Sequence, residues 1–516
     1  MSRLRNSLWW VLAVALVVRA GALWIGQTDL RDDPDAYARL AENWSSTGVL
    51  GFDAPDGTVQ PTAFRPPLYP WLLSWLAPMW LDAPRRESFD SSLTVASTDV
   101  SSNPTALQPS KPTLPIGFVA ALHLLLGLAS VGLTWSIARD LRIAWPAVAA
   151  ILVACDPILV RASQLVMTET LAAFLALVAW KFWLVVYPPG PNESSRELTR
   201  MHCPADAQSP SHGAWALRSL PQWCALFGLG IVFGLSVLAR PTAAPWTALC
   251  LLGMFFFSGR CWKQRINDSL IVGLLVVACL SPWVLRNLSV FSKPIWATTH
   301  GGYTLLLANN PLIYQHFTKH GPSRNWEAEP FHARWSLRLD PGQTLTPSDE
   351  DFWLSPWVAS GQSPATLNEL ADDRIAYEAA RATIARQPLM FGLSGLYRVG
   401  WLWAAWPNTG PRIASLAIGL WYTSLFAAAF LGIRRMIRRY GLRVWAEVWW
   451  LPLMLVVSLT IIHSVYWSNM RMRAPASAVL AVAAAAAVFR KDASDRPLHT
   501  THKLCFRSFS GVLPTD

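Results

Sequence analysis

Residues 115–138 read PIGFVAALHLLLGLASVGLTWSIA and contain no Asp, Glu, Lys or Arg. A helix needs about 20 mainly apolar residues to cross the hydrocarbon core of a bilayer, so this run is long enough to span a membrane. Nine further apolar runs lie near residues 8–25, 144–162, 165–186, 222–239, 243–258, 268–287, 412–433, 446–465 and 474–489. The sequence therefore predicts an all-α polytopic membrane protein with about ten transmembrane helices.

The composition of the 516-residue chain also indicates a lipid environment. Hydrophobic residues make up 53% of the chain and charged residues 15%, whereas about 25% of an average soluble domain is charged. Many of the 29 tryptophans stand at the ends of apolar runs, where an indole ring prefers the headgroup layer. The formal charge of +11 comes from short basic clusters without interleaved aromatic residues, which argues against a nucleic-acid partner.

Lys and Arg in short loops indicate the side of the membrane on which each loop lies, because such loops stay in the cytoplasm. Ten spans with the amino terminus inside place all the basic clusters in the cytoplasm: Arg3/Arg5, Arg139/Arg142, Arg260/Lys263/Arg265, Arg434/Arg435/Arg438/Arg439 and Arg490/Lys491. The run 8–25 resembles a signal peptide, but no small-residue cleavage site follows it, so we expect a retained span. We therefore expect a multi-pass protein of the inner (plasma) membrane whose functional groups face the exterior.

This arrangement of ten spans, with the amino terminus inside, divides the chain into segments. Residues 1–287 are predicted to form an amino-terminal transmembrane module, with an external loop at 26–114 and a cytoplasmic insert at 188–220. Within the external loop, residues 66–81 are predicted to form a helix lying at the outer interface, and the Ser-rich residues 82–113 a flexible insert. The remaining segments are a large external loop at 288–411, carboxy-terminal transmembrane helices at 412–489 and a cytoplasmic tail at 490–516.

A cluster of carboxylates follows the first span. Asp32, Asp33 and Asp35 precede a helical pattern that starts near Tyr37, and Pro34 suits the first turn of that helix with Asp33 as its cap. Capping alone is one explanation of Asp33. The other is chemical: such carboxylates deprotonate an acceptor hydroxyl or bind a divalent cation.

Several arginines stand at the outer ends of spans. A guanidinium group is always charged and binds a phosphate through two hydrogen bonds, so converging arginines under an external loop indicate a phosphorylated ligand. The alternative is that each pairs with a lipid headgroup at no specific site. These residues are Arg65, Arg240, Arg286, Arg471 and Arg473.

Short motifs follow one another in a fixed order along the chain. They are Asp33-Pro34-Asp35-Ala36-Tyr37, residues 61–70 (PTAFRPPLYP), Asp156-Pro157 with Glu169-Thr170, residues 238–242 (LARPT), residues 282–287 (PWVLRN), residues 298–311 with Tyr303, and His463 with Asn469, Arg471, Arg473 and Pro475. This ordered set, from about residue 1 to 490, resembles the GT-C glycosyltransferases. That family depends on polyprenyl-phosphate sugars and includes protein mannosyltransferases and lipid A aminoarabinose transferase.

The resemblance implies an inverting transfer at the outer face of the membrane, from a sugar on a polyprenyl monophosphate to a lipid, glycan or protein acceptor. By position, Asp33 is similar to the acceptor-activating carboxylate of the family, and Asp35 is a neighbour that could substitute for it or help it. The five arginines would bind the donor phosphate. Tyr37, Tyr303 and His463 would position substrate, and Glu169 would either orient sugar hydroxyls or pair with an arginine. No ligand set for a metal is evident beyond the aspartate cluster, so we expect no cofactor, although a divalent cation is compatible with it.

Two other functions are compatible with many spans and buried arginines. One is a lipid-linked glycan flippase or other transporter, which should show internal repeats; we find none. The other is a glycan polymerase or ligase with a pyrophosphate-linked donor, which would keep the arginines without needing the Asp33 motif. A catalytically inactive relative acting as a scaffold is a third alternative.

Overall fold

The computed structural model describes residues 2–54, 56–75, 115–188, 219–257, 262–321, 326–336, 368–407 and 410–488. The helices of these ranges are α1 (Ser2–Ile25), α2 (Tyr37–Thr47), α3 (Leu68–Ser74), α4 (Ile116–Asp140), α5 (Pro146–Ala154), α6 (Pro157–Ala162), α7 (Glu169–Val186), α8 (Leu220–Ala239), α9 (Ala243–Phe257), α10 (Trp262–Phe291), α11 (Gly301–Ala308), α12 (Pro311–His320), α13 (Glu329–Ser336), α14 (Glu369–Arg386), α15 (Pro388–Leu402), α16 (Arg412–Tyr440), α17 (Leu442–Val465) and α18 (Ser477–Ala485). Two 3-10 turns, Asp29–Arg31 and Met470–Ala476, and one antiparallel hairpin of β1 (Gly51–Asp53) and β2 (Val59–Pro61) complete this part of the fold.

The all-α, multi-pass prediction is confirmed. Seven described helices are long and apolar enough to cross a membrane, namely α1, α4, α7, α8, α10, α16 and α17. The three remaining apolar runs form shorter helices: α5 with α6, α9, and α18. Three predicted segments lie wholly or almost wholly outside the described residues. They are the insert at 82–113, the tail at 490–516 and nearly all of the insert at 188–220.

The run at 144–162 forms two helices rather than one continuous span. Pro157 has no amide hydrogen and disfavours helical backbone at the residue before it, so α5 ends and α6 begins with Asp156 as its cap. The Asp156 carboxylate accepts a hydrogen bond from the Leu159 amide at 3.0 Å. Arg19 of α1 donates to the carbonyl oxygens of Val153 at 3.1 Å and Leu159 at 3.3 Å. These bonds satisfy backbone groups that the break would otherwise leave unpaired in an apolar surrounding.

Helix α2 begins at Tyr37, where the helical pattern of the sequence starts, and Ala36 is its N-cap residue. Pro34 therefore lies before the helix, and the chain turns at Ala36, whose φ of 60° is in the left-handed region. That conformation is strained for a residue with a Cβ atom. The placement of Pro34 in the first helical turn is wrong, because the turn from Asp33 to Ala36 comes first.

Close helix packing holds α16 against α18. A Cβ atom added at Gly432 would stand 1.9 Å from the carbonyl oxygen of Ala483, and small residues permit such contacts between membrane helices. We expect Gly432→Ala to lower the free energy of unfolding by about 1–3 kcal/mol through overpacking, measured as a lower melting temperature in detergent. Gly273 is a matched control, since nothing lies within 4 Å of its Cβ position. Equal losses in both variants would contradict the close packing.

Candidate active site

One carboxylate joins three elements at one end of the bundle. Glu169 begins α7, Arg240 follows the last residue of α8, and Arg471 lies in the 3-10 turn after α17. An oxygen of the buried Glu169 carboxylate lies 3.6 Å from Arg240 Nη2 and 3.1 Å from Arg471 Nε. Glu169, Arg240 and Arg471 form what we call the arginine cluster. Both guanidinium groups keep an exposed fraction, 18% for Arg240 and 30% for Arg471, so an anionic ligand can reach them.

Asp33 lies in the turn that precedes α2. Its Oδ2 atom accepts a hydrogen bond from the amide of Arg39 at 3.0 Å, so the carboxylate does cap the helix. Its Oδ1 atom is buried and has no hydrogen-bond partner among the described residues. Burial raises the pKa of Asp33 above its ordinary 3.8, against the opposing effect of the amides of Arg39, Ala38 and Tyr37. The hydrogen-bonding capacity of this buried oxygen is therefore unused among the described residues.

Asp35 and Arg65 form an ion pair with each other. Arg65 Nη2 donates to Asp35 Oδ1 at 2.7 Å, and Arg65 Nε donates to the Asp35 carbonyl oxygen at 2.9 Å. The same guanidinium lies over the ring of Phe64, 4.7 Å from its centroid. The structure therefore places Arg65 on Asp35 rather than in the arginine cluster.

Two tyrosines connect the Asp33 turn to the arginine cluster. Tyr37 and Tyr69 pack edge to face, with 5.2 Å between ring centroids. The charges of Glu169 and Arg240 act on the Tyr37 hydroxyl, and those of Asp33 and Glu169 act on the Tyr69 hydroxyl. Burial raises the pKa of Tyr37 to about 12. Tyr37 and Tyr69 therefore lie within electrostatic reach of both the Asp33 turn and the arginine cluster.

Two more of the predicted phosphate-binding arginines, Arg286 and Arg473, lie outside the arginine cluster. Arg286 donates to the carbonyl oxygens of Thr62 at 2.8 Å and Leu50 at 2.9 Å, which fastens the hairpin region to α10. Arg473 is fully buried. It donates to the carbonyl oxygens of Leu402 and Ala404, and its guanidinium lies 4.4 Å from the ring centroid of Tyr422. The structure does not bring either side chain into the arginine cluster.

The remaining two predicted positioning residues, His463 and Tyr303, have different neighbours. His463 Nδ1 is 2.8 Å from the carbonyl oxygen of Trp467, and its ring lies within electrostatic reach of Arg240. Tyr303 stacks on His300 with 4.8 Å between centroids, and His300 contacts Phe64 at 4.3 Å. This aromatic stack connects Tyr303 to Phe64, beside Arg65.

Glu369, which no sequence motif singles out, holds the loop that carries Arg65. Its carboxylate accepts hydrogen bonds from the Thr62 hydroxyl at 2.8 Å, the Ala63 amide at 2.9 Å and the Thr299 hydroxyl. Burial raises the pKa of Glu369. Asn368 before it is a recognisable helix cap, but no local pattern indicates that Glu369 contacts residues some 300 positions away in sequence.

A second group that no sequence motif singles out is His123 of α4. Its Nδ1 lies 2.8 Å from the carbonyl oxygen of Ser163, and its Nε2 lies 2.7 Å from the Tyr69 hydroxyl. Since a carbonyl only accepts, Nδ1 carries the hydrogen and Nε2 accepts from Tyr69. This fixes the Tyr69 ring beneath Tyr37. Across the described ranges, no three side chains of His, Cys, Asp or Glu are grouped so that they could hold a metal ion.

Comparison of the fold with solved structures gives significant matches to membrane glycosyltransferases. The archaeal oligosaccharyltransferase AglB from Archaeoglobus fulgidus, in complex with an inhibitory peptide and a dolichol-phosphate, has a TM-score of 0.50 at 16% identity, over 94% of this chain and 50% of that one. An oligosaccharyltransferase from the same archaeon, tethered with an acceptor peptide, has a TM-score of 0.48 at 16% identity, over 94% of this chain and 49% of that one. ArnT from Cupriavidus metallidurans bound to undecaprenyl phosphate has a TM-score of 0.36 at 14% identity, over 90% and 77%.

No protein-family model matches the sequence, and no curated protein matches it either. At such low identity the likeness to the archaeal enzyme concerns the fold, and the chain spans about half the length of that enzyme. The order of the motifs and the likeness of the folds nevertheless agree. The chain therefore shares the membrane fold of the archaeal oligosaccharyltransferase, in keeping with the resemblance that its sequence motifs indicate.

Proposed function

We propose that the chain is an inverting glycosyltransferase, which moves a sugar from a polyprenyl monophosphate to an acceptor hydroxyl at the outer face of the plasma membrane. The observation that carries the proposal is the pairing of two different groups at one end of the bundle. One is the buried Oδ1 atom of Asp33, which has no partner among the described residues. The other is the partly exposed arginine cluster around Glu169.

Asp33 supplies the base. In the transfer, the acceptor oxygen bonds to the anomeric carbon on the face opposite the phosphate, while its proton passes to Asp33 Oδ1. A carboxylate within hydrogen-bond reach accelerates such a step. The amide of Arg39 holds the other oxygen, which fixes the orientation of the carboxylate before the substrate arrives.

The arginine cluster receives the leaving group. As the bond between the anomeric carbon and the phosphate oxygen breaks, its electron pair stays on that oxygen, and the lipid phosphate changes from a monoanion to a dianion. Two guanidinium groups and one carboxylate give the cluster a net charge of +1. Fixed positive groups aimed at a growing negative charge lower the barrier without any proton transfer to the leaving group. Glu169 fixes the spacing of Arg240 and Arg471.

The choice of a lipid phosphate rests on two supports. Guanidinium groups bind phosphate oxygens in a matched planar geometry. The archaeal enzyme with which this chain shares its fold is solved with a dolichol-phosphate. The outward orientation rests on the predicted arrangement of ten spans, in which the basic clusters lie in the cytoplasm. In this arrangement the arginine cluster lies at the other end of the spans.

The pH dependence of transfer should follow the ionisation of Asp33. A general base acts only when it is deprotonated, so kcat/KM should rise with pH through the pKa of Asp33 and level above it. Burial raises that pKa above 3.8, and the midpoint of the acid limb should therefore lie above this value. We would measure initial rates of sugar transfer between pH 3.5 and 8. An acid limb at or below the ordinary aspartate pKa would contradict the role of a buried base.

The assay that tests the proposed function uses membranes that express the chain. Radiolabelled sugars on polyprenyl monophosphates and on polyprenyl pyrophosphates are supplied in parallel, and the label is followed from lipid to product. We expect transfer from a monophosphate donor only. Transfer from pyrophosphate donors alone would favour the polymerase or ligase function, and movement of the intact lipid-linked sugar without transfer would favour a flippase.

A further inference from the structure

Helix α15 (Pro388–Leu402) has the reverse of the usual distribution of polar and apolar side chains. Its buried positions include Ser394 and Arg398, both fully buried. Its exposed positions include three leucines, Leu389 at 88%, Leu393 at 39% and Leu396 at 69% exposure. A helix at an aqueous surface shows the opposite pattern, with its apolar stripe towards the protein. This distribution is the one expected of a helix whose outer face meets an apolar medium.

The buried arginine fastens α15 to the end of a membrane span. Arg398 Nη1 donates to the carbonyl oxygen of Ala308 at 2.7 Å and to the Ser394 hydroxyl at 3.0 Å. Its Nη2 and Nε atoms both donate to the carbonyl oxygen of Ser464, at 2.7 and 3.1 Å. The guanidinium thus satisfies carbonyls at the ends of α11 and α17, which orients α15 with its leucines away from the protein.

The contacts with α17 also set the depth of α15. Residues Val448–Val465 of α17 are long and apolar enough to cross a membrane. Trp403, just after α15, donates from Nε1 to the Thr460 hydroxyl at 3.0 Å. Ile461 on that same turn of α17 is itself 58% exposed, as expected for a side chain that faces lipid. The carboxy-terminal end of α15 therefore lies beside the last turns of a span.

We propose that α15 is immersed in the outer leaflet and that Leu389, Leu393 and Leu396 contact lipid acyl chains. Its 15 residues extend about 22 Å at 1.5 Å per residue, less than the roughly 30 Å of a hydrocarbon core, so it enters the membrane without crossing it. The preceding helix α14 is polar, and its Arg374 side chain is 80% exposed. The segment at 288–411 is then not wholly external: α14 lies in water and α15 in lipid. This inference does not depend on the proposed catalytic activity.

Spin labelling of the full chain in phospholipid nanodiscs tests this placement. In a background with the native cysteines replaced by serine or alanine, single nitroxides are attached at residues 389, 393 and 396. Residue 374 serves as the aqueous control and residue 413, an 85% exposed isoleucine in α16, as the lipid control. Collision rates are measured with oxygen, which concentrates in lipid, and with a water-soluble nickel chelate. All labelled variants must elute as one monodisperse species.

The placement in lipid predicts that the three leucine positions behave like residue 413, accessible to oxygen and protected from nickel. Nickel accessibility equal to that of residue 374 at these positions would place α15 in water and overturn the proposal. Protection from both reagents would show that another protein surface, such as a second copy of the chain, covers the helix, and would equally overturn it. Three independent positions keep the outcome decisive if one variant fails to fold.

Discussion

Replacing Asp33 with Asn is expected to lower kcat for sugar transfer by about 10²–10⁴-fold, the usual contribution of a positioned general base. Asn keeps the size of the side chain and an oxygen that can accept from the Arg39 amide at the position where Asp33 does so now. It loses only the ability to take a proton. The variant therefore separates the two explanations that the sequence leaves open, since a residue that merely caps α2 should tolerate Asn.

The stability of the same variant provides the control. Burial raises the pKa of Asp33 in the folded protein. Such a group stabilises the fold below its unfolded-state pKa, and that contribution is lost as pH rises through the folded-state pKa. At neutral pH the buried carboxylate thus opposes folding, and Asp33→Asn should melt at the same temperature as the wild type or higher. Asp33→Ala, which also removes the cap, should melt lower. Full activity in Asp33→Asn would remove Asp33 from the mechanism.

Replacing Arg240 with Ala is expected to lower kcat/KM by about 10²–10³-fold, the loss seen when one fixed stabilising group is removed from a developing negative charge. Glu169 remains paired with Arg471 in this variant, so no buried carboxylate is left without a partner. Initial rates at several donor concentrations would separate the effects on kcat and KM. We expect Arg471→Ala to behave in the same way, because its guanidinium belongs to the same cluster.

Arg161 offers a matched control for the loss of an arginine. It lies in α6 and forms an ion pair with Asp29. Its side chain is 52% exposed. An exposed ion pair contributes little to stability, and no contact joins Arg161 to the arginine cluster among the described side chains. Arg161→Ala should therefore retain nearly all activity. Similar losses in Arg161→Ala and Arg240→Ala would mean that arginines act here through general charge rather than at one phosphate site.

The sequence predicts the membrane class and most of the helices because these depend on local properties. The length and apolar composition of an uncharged run such as residues 115–138 predict a membrane span without information about any distant residue. This run forms α4. The ends of helices are harder to predict. The helix at Trp262–Phe291 extends beyond the apolar run at 268–287, and the polar residues at its amino-terminal end can stay helical in the interfacial layer.

The role of each arginine is less predictable, because it depends on which distant backbone groups lie within reach. Five arginines share one signature in the sequence, a guanidinium at the outer end of a span. The structure distributes them among different partners. Arg473 donates to a carbonyl oxygen at the end of α15. Arg286 donates to a carbonyl oxygen beside the hairpin, and Arg65 donates to the carboxylate of Asp35. Only the contact with Glu169, itself 2% exposed, distinguishes Arg240 and Arg471 from the rest.

The inverted pattern of α15 explains a further limit of sequence analysis. Its stretch PLMFGLSGLYRVGWL is too short for a span and lies between polar segments, so length and hydropathy assign it to an external loop. Its environment becomes evident only when Arg398 is found facing inwards. A buried arginine that binds only carbonyl and hydroxyl oxygens has no signature in a single sequence.

The most direct test of the proposed mechanism is sugar transfer by purified protein in proteoliposomes, with a polyprenyl-monophosphate sugar as the sole donor. Wild type and Asp33→Asn are compared at equal amounts of folded protein, and the loss of label from the lipid is followed with time. If Asp33 is the general base, we expect steady turnover by the wild type and a rate at least about 100-fold lower for the variant. Equal turnover by both proteins, or none by the wild type from any monophosphate donor that supports transfer by a known GT-C enzyme, would contradict it.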